Sequence, residues 1–352
     1  MKQKVISISF IIFIFTFSLL SFIFQDEVIS KFERRKLAQV PKLNNEFTAN
    51  LDKYLIDQFP FRKEFINLNS NINRNILQIK DYNDVYVIGD VIYEVNYPLN
   101  EKECNNFTKK INYIIEQDLQ NANTYYAIIP DKEYFLNDKD YLKIDYKLLK
   151  DKITLNAKYI DIIDLLNIED YYRTDIHWKQ EKLENVAKTI IEQMGNTYMQ
   201  IDYNYKENEN FYGASYSKAG TNIKPDKLIC MQNDYTELAE VKHLEYGYKN
   251  VYDEEKINGI DSYDIYLSGA SSYIEITNTK ATNNNELIIF RDSFSSSLAP
   301  LLIPYYSKIT LIDLRYINYD IARSITEFEN KDILFIYSTQ VINNTNLLKV
   351  KI

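Results

Sequence analysis

Glu286-Leu-Ile-Ile-Phe290-Arg-Asp-Ser293-Phe-Ser-Ser-Ser297 runs from a β-branched and aromatic stretch, through a polar turn, into a segment continued by Leu298, Leu301 and Leu302. The first part reads as a short buried strand and the second as an apolar helix. Strand, sharp turn and helix in succession are the unit of an α/β sheet. Such a turn exposes a Ser hydroxyl at the carboxyl edge of the sheet, with helix-start N–H groups nearby. Downstream, Ile309-Thr-Leu-Ile-Asp313 and Asp332-Ile-Leu-Phe-Ile-Tyr337 are further β-branched runs separated by helix-length segments, the layout of a doubly wound sheet. Upstream, a helix is expected over Glu101 to Leu119, a strand over Thr124 to Pro130, a helix over Tyr146 to Ala157, a strand over Tyr159 to Leu165 and a helix over Gln180 to Met194. The expected fold class is therefore α/β, with a largely parallel central sheet flanked by helices.

Toward the amino terminus the pattern changes. Val85-Tyr-Val-Ile-Gly-Asp-Val-Ile-Tyr-Glu-Val95 reads as a hairpin turning at Gly89-Asp90. Residues 26–83 are polar with helical apolar spacing (Phe47, Leu51, Leu55, Phe59, Ile66), as in a juxtamembrane stalk or cap. Val5 to Phe24 carries no charge over twenty residues, about the length a helix needs to cross a bilayer core of ~30 Å. Lys2 and Lys4 precede it and no small-x-small cleavage site follows, so residues 1–25 read as a cytoplasmic tip and an uncleaved transmembrane signal anchor. Lys31, Arg34, Arg35 and Lys36 compete with the amino-terminal charges in setting orientation. With the carboxyl end of the anchor outside, residues 84–352 form an extracytoplasmic α/β domain on a single-pass membrane protein. A Tyr- and Asn-rich region around 200–283 reads as an irregular insertion of loops and short strands.

Composition narrows the chemistry. Lys and Arg number 41 against 50 Asp and Glu, a net charge of −9 over 352 residues, the wrong sign for a chain that mainly binds nucleic acid. Two Cys and two His leave no recognisable zinc spacing. Seven Gly, with neither GxGxxG nor GxxxxGK[ST], supply no phosphate cradle. Neither a metal nor a nucleotide cofactor is expected. Cys104 and Cys230 can pair beyond the membrane or stay free.

Two constellations carry chemistry. In Tyr171-Tyr-Arg-Thr-Asp175-Ile-His177-Trp178, an extended segment projects Asp175 and His177 to the same side, so that the carboxylate can orient an imidazole base. Trp178, the sole Trp, is placed to wall off water or stack on a sugar ring. The other is the turn at Ser293. A Ser is a weak nucleophile near neutral pH and needs an adjacent base oriented by a third group, and this chain offers all three beside strand ends. The competing reading makes Asp175 and Ser293 or Ser295 helix caps and His177 an ordinary half-buried residue. Arg315 and Tyr316 follow another strand, where they either contact substrate or close the sheet edge, and are assigned to substrate contact. Asp131-Lys132 reads equally as a site pair or a surface pair, and His243, within VKHLEYGYK, as a solvated surface residue.

Glu33-Arg-Arg-Lys-Leu-Ala-Gln-Val-Pro41, Asp52 to Arg62, Thr174-Asp-Ile-His-Trp178, Phe211-Tyr-Gly-Ala-Ser-Tyr-Ser217, Asp292-Ser-Phe294 and Asp313-Leu-Arg-Tyr316 together resemble the DHHW protein family of low-GC Gram-positive bacteria. That family is related to the SGNH-hydrolase-like proteins of alginate O-acetylation, and the resemblance spans most of the chain. It implies an SGNH-hydrolase-like fold with Asp175, His177 and Ser293 as a triad. Two departures stand out. Ile176 occupies the first His position of the name-giving motif, and Leu267-Ser-Gly-Ala-Ser271 stands where such families often carry Gly-Gly-Asn, so the oxyanion hole falls to the backbone N–H groups of Ser293 and Gly269. Loss of one oxyanion donor typically costs on the order of 10²–10³ in turnover.

Two functions follow from the resemblance. One is an anchored O-acetyltransferase or acetylesterase acting on a cell-envelope or exopolysaccharide glycan, supplied by a polytopic membrane-bound O-acyltransferase partner because acetyl-CoA is cytoplasmic. The other, motivated by Ile176 and Ala270, is a catalytically inactive glycan-binding or scaffold protein.

Overall fold

The computed structural model describes residues 2–136, 139 and 141–352. Eight strands form the main sheet: β1 (Asn123–Ile129), β2 (Lys158–Tyr159), β3 (Glu240–His243), β4 (Gly247–Lys249), β5 (Tyr273–Thr277), β6 (Glu286–Arg291), β7 (Lys308–Ile312) and β8 (Asp332–Ser338). Their spatial order is β4-β3-β5-β7-β6-β8-β1-β2. The five from β7 to β2 run parallel. β5, β3 and β4 extend the sheet antiparallel beyond β7. The region expected as an irregular insertion thus supplies β3, β4 and β5, together with a separate ribbon of 204–211 and 226–232.

Alternation along the parallel strands explains the layering. Leu287 and Ile289 enter one apolar core with Leu334 and Ile336, while Ile288 and Phe290 enter a second with Ile333, Phe335 and Tyr337. A strand buried on both faces needs a continuous apolar run, which these strands have. The second core is covered by α4 (Glu101–Asp118), which buries Phe107, Ile111 and Ile114 at helical spacing. The first is covered by α6 (Glu184–Gln193), through Val186, Ala187, Ile190 and Ile191, and by α7 (Ser295–Leu302). α5 (Tyr146–Lys152) is shorter than expected.

The run expected as a strand to Leu165 pairs only over Lys158–Tyr159 and then enters a 3₁₀ turn. Asp161 explains the difference: its Oδ1 accepts the Ile163 N–H at 3.1 Å, giving the backbone a local partner in place of a ladder.

Ahead of the sheet lie α1 (Lys2–Ile23), α2 (Phe47–Asp57) and α3 (Arg62–Asn71), with the hairpin 85–88 and 91–94 turning at Gly89, φ +61°. α1 contains Gln3–Ile23, the one helix among the described residues long and apolar enough to cross a membrane, with mean hydropathy 2.5 and none of that window buried. Cys104 and Cys230 are both free and buried.

Candidate active site

β6 lies between β7 and β8, and its chain leaves at the carboxyl edge through Asp292. Asp292 is buried and clamps this turn twice: Oδ1 accepts the Phe294 N–H at 3.1 Å, and Oδ2 accepts the Ser338 N–H at the end of β8 at 2.7 Å. The clamp presents Ser293 at the rim just before α7. Among the described residues the Ser293 N–H has no backbone partner, which leaves it available to a developing oxyanion.

The 171–178 segment folds back on itself through a Tyr171–Trp178 bridge and a Tyr172 N–H to His177 carbonyl bond of 3.1 Å. It directs His177 at the serine. Nε2 stands 2.8 Å from Ser293 Oγ, and Nδ1 stands 2.5 Å from Asp175 Oδ1, which also accepts the His177 N–H at 3.0 Å. The Tyr263 ring stacks on the imidazole, centroids 3.9 Å apart and planes 8° from parallel, and Phe294 closes another side. Sequence and local geometry together give a hydroxyl, an imidazole and a carboxylate in line, as acyl transfer through a serine requires.

Asp175 is held from its far side. Oδ2 accepts the Ala214 N–H at 2.7 Å and an Arg34 N–H at 3.2 Å. Burial opposes its ionisation, but His177 and then Arg34 outweigh that and hold the carboxyl below the usual carboxylate range. The 211–217 loop comes this close because residue 213 is Gly: a Cβ there would lie 2.2 Å from Asp175 Cβ. The Gly213 N–H donates to Thr174 Oγ1 at 3.0 Å, and Thr174 is anchored on Asp226.

Other assignments from the sequence end elsewhere. Trp178 is fully buried, donating to the Phe294 carbonyl at 2.9 Å and Ser297 Oγ at 3.1 Å, so it packs beneath the Ser293 turn and is not open to a sugar. Arg315 is tied to Asp313 through two bonds, 2.9 and 2.7 Å, and lies over the half-exposed Tyr316. None of the contacts of either reaches the Ser-His-Asp group among the described residues. The Gly269 N–H is already committed to the Tyr266 carbonyl at 3.2 Å, a correction to its expected role as a free oxyanion donor. Ile176 packs against the apolar core, outside the serine–histidine–aspartate chain.

His243 also departs from expectation. It is buried, 1% exposed, at the sheet edge where β3 pairs with β5, and neither ring nitrogen has a hydrogen-bond partner among the described residues. Asp131 and Lys132 are buried rather than superficial. Burial pushes Asp131 up to about 7 and Lys132 down to about 8, the latter opposed by Asp175. Lys132 Nζ donates to the Tyr172 carbonyl at 2.9 Å and so braces the loop that carries the Asp-His pair.

Sequence reasoning passed over Arg34, Gly213 and Tyr263. The first two sit within quoted stretches with no role assigned at the site, Arg34 being read only for orientation, and Tyr263 is one of 31 Tyr. No group of three or more His, Cys, Asp or Glu that could hold a metal is present among the described residues.

No protein-family model matches the chain, and no curated protein does. Solved structures do. The chain is similar to a DHHW family protein from Eubacterium siraeum, with 19% identity, a TM-score of 0.62, and 75% of this chain and 94% of that one covered. It is also similar to PatB1 from Bacillus cereus in two structures. One carries a sulfonyl adduct, with 18% identity, a TM-score of 0.61, and 76% and 98% of the two chains covered. The other has 17% identity, a TM-score of 0.59, and 73% and 96% covered. At these identities the likeness defines the fold, which is SGNH-hydrolase-like. A DHHW protein among these structures agrees with the resemblance read from the sequence.

Proposed function

We propose that this chain is a membrane-anchored O-acetyltransferase or acetylesterase of the cell envelope, working through Ser293, His177 and Asp175 on an acetylated glycan. The observation that carries the reading is the unbroken chain of contacts, 2.8 Å from serine to imidazole and 2.5 Å from imidazole to carboxylate. Ser293 Oγ attacks the acetyl carbonyl while His177 Nε2 takes its proton. Collapse of the tetrahedral adduct expels the donor alcohol, which receives that proton, and leaves acetyl-Ser293. A sugar hydroxyl or water then attacks the acyl-enzyme, His177 accepts its proton, and the proton returns to Ser293. Asp175 fixes the imidazole tautomer and balances the imidazolium. The same geometry favours an enzyme over a scaffold, for which the two side chains have no reason to meet.

The apolar helix and its preceding lysines support a single-pass anchor with the α/β domain on the extracytoplasmic side. A donor made in the cytoplasm then calls for a membrane-bound O-acyltransferase partner that passes the acetyl group outward.

The test is turnover of a chromogenic acetyl ester by the full chain. Ser293→Ala is expected to abolish it and to leave the folded signal intact; turnover equal to that of the natural protein would exclude the mechanism. A sulfonyl adduct is recorded on PatB1, and a sulfonyl fluoride is expected to modify Ser293 here.

A further inference from the structure

α2 and α3 carry an exposed apolar surface beside α1. Leu55 and Ile56 are 52% and 58% exposed, and they join Phe59, Phe65 and Ile66 around an open depression of about 480 Å³ with Arg62 at its rim. A soluble domain rarely leaves so many large apolar side chains together in water. Their position relative to α1 gives the reason. The Phe17 ring stacks on Phe59, centroids 5.2 Å apart and planes 6° from parallel, and meets Phe65 edge-on at 5.6 Å. Phe17 lies six residues before the helix end at Ile23, and at 1.5 Å per residue that is ~9 Å along the axis inside the end. Nearer the end, Phe24 meets Phe61 at 5.3 Å.

If α1 spans the bilayer, the residue that holds Phe59 and Phe65 sits within hydrocarbon, and what it touches shares its depth. We infer that the apolar face of α2 and α3 is seated in the outer leaflet beside α1, so that the protein is held by a span and a lipid-facing shelf together. This rests on the anchored reading of α1 given above. The shelf is laid edgewise against the span instead of standing off from it, as a stalk in water would. Its partner is the acyl region of the lipid, because the face is continuous with the side of α1 that already meets lipid and its lining is aliphatic and phenyl apart from Arg62 and Asn69.

The full chain reconstituted in phosphatidylcholine–phosphatidylglycerol nanodiscs tests this. Both native Cys are buried, so single Cys variants can carry a nitroxide selectively: Leu55→Cys and Ile56→Cys on the shelf, Phe15→Cys on the span and Tyr248→Cys on the α/β domain. Collision with oxygen against a water-soluble nickel chelate reports depth. Shelf labels that behave like the Phe15 label, favouring oxygen several-fold over the Tyr248 label, support the proposal. Shelf labels that behave like Tyr248 while the Phe15 label remains in lipid overturn it and leave the face to a protein partner. An aqueous Phe15 label overturns the anchored reading and the shelf with it, whereas ester turnover by Ser293 is untouched by any of these results.

Discussion

Arg34, eleven residues beyond the end of α1, places Nη1 3.2 Å from Oδ2 of Asp175. Its other terminal nitrogen pairs with Asp261. The segment that leaves α1 therefore reaches the carboxylate behind the proposed base. The approach is shaped by the short ladder of Ile29–Ser30 with Arg35–Lys36, by φ +53° at Arg34, and by Glu33 and Asp57, which hold Arg35 and Arg62. Arg34 supplies a compensating charge to a buried anion. A hydrogen bond to a charged group is worth about 1.5–3 kcal/mol. Arg34→Ala is expected to lower kcat on an acetyl ester about tenfold or more with KM little changed, and Arg34→Lys to restore part of it. A loss confined to KM would contradict a role in positioning Asp175.

Gly213 packs its backbone against the same residue, Asp175. A methyl group there meets Asp175 Cβ at 2.2 Å and Oδ2 at 2.4 Å, a clash that only movement of one loop relieves. Gly213→Ala is expected to reduce turnover by at least tenfold while the protein still folds with a lowered Tm. Full activity in this variant would mean that the 211–217 loop does not set the position of Asp175.

Trp178 offers a different kind of test, since its indole N–H is shared between the Phe294 carbonyl and Ser297 Oγ. Trp178→Phe removes this donor from a dry site, leaving Ser297 Oγ with Tyr263 and the Phe294 carbonyl with the longer 3.3 Å bond from Ser297 Oγ, at a cost of about 1–3 kcal/mol. The expected result is a lower denaturation midpoint with KM for a glycan ester essentially unchanged. A large rise in KM without loss of stability would instead indicate contact with sugar.

His243 gives the chain a pH dependence independent of turnover. Burial, and then the charge of Arg291, push its imidazole down to about 4; Lys249 adds to this, while Glu245 and Asp253 oppose it. An unfolded histidine titrates near ~6.5, so between the two values the unfolded chain binds more protons than the folded one. The contribution to stability is complete above ~6.5 and is lost as pH falls toward about 4. The urea midpoint of the natural protein is expected to fall relative to that of His243→Leu as pH drops from ~6.5 toward about 4, so that the two curves separate most in acid. Parallel curves would show that His243 stays solvated.

Much of the architecture was legible in the sequence because strands buried on both faces need uninterrupted apolar runs. Leu287 to Phe290 and Ile333 to Tyr337 show them, as does the helical spacing of α4. β3 and β4 were hidden, since they extend the sheet at its edge and their polar alternation, as in Glu240-Val-Lys-His243, has no such run. The Asp175-Ile-His177 spacing and the turn at Ser293 could be read locally. The supports of Asp175 could not, because Arg34 and Ala214 reach it from 141 and 39 residues away and neither carries a local pattern. Trp178 was misread for a related reason: a residue type that serves on sugars serves equally as a hydrogen-bonding core filler, and only burial distinguishes them. His243 lay among charged neighbours, yet alternation along β3 turns it inward while Lys242 faces out.

The bond from the Ser338 N–H to Asp292 has a consequence for biogenesis. Because β8 follows β6 in the chain, synthesis delivers the turn bearing Ser293 before its second clamp, which forms only once Ser338 has been made. Chains terminated before β8 would carry the serine with its loop unsecured, which ties the shape of this turn to the making of a strand that comes after it.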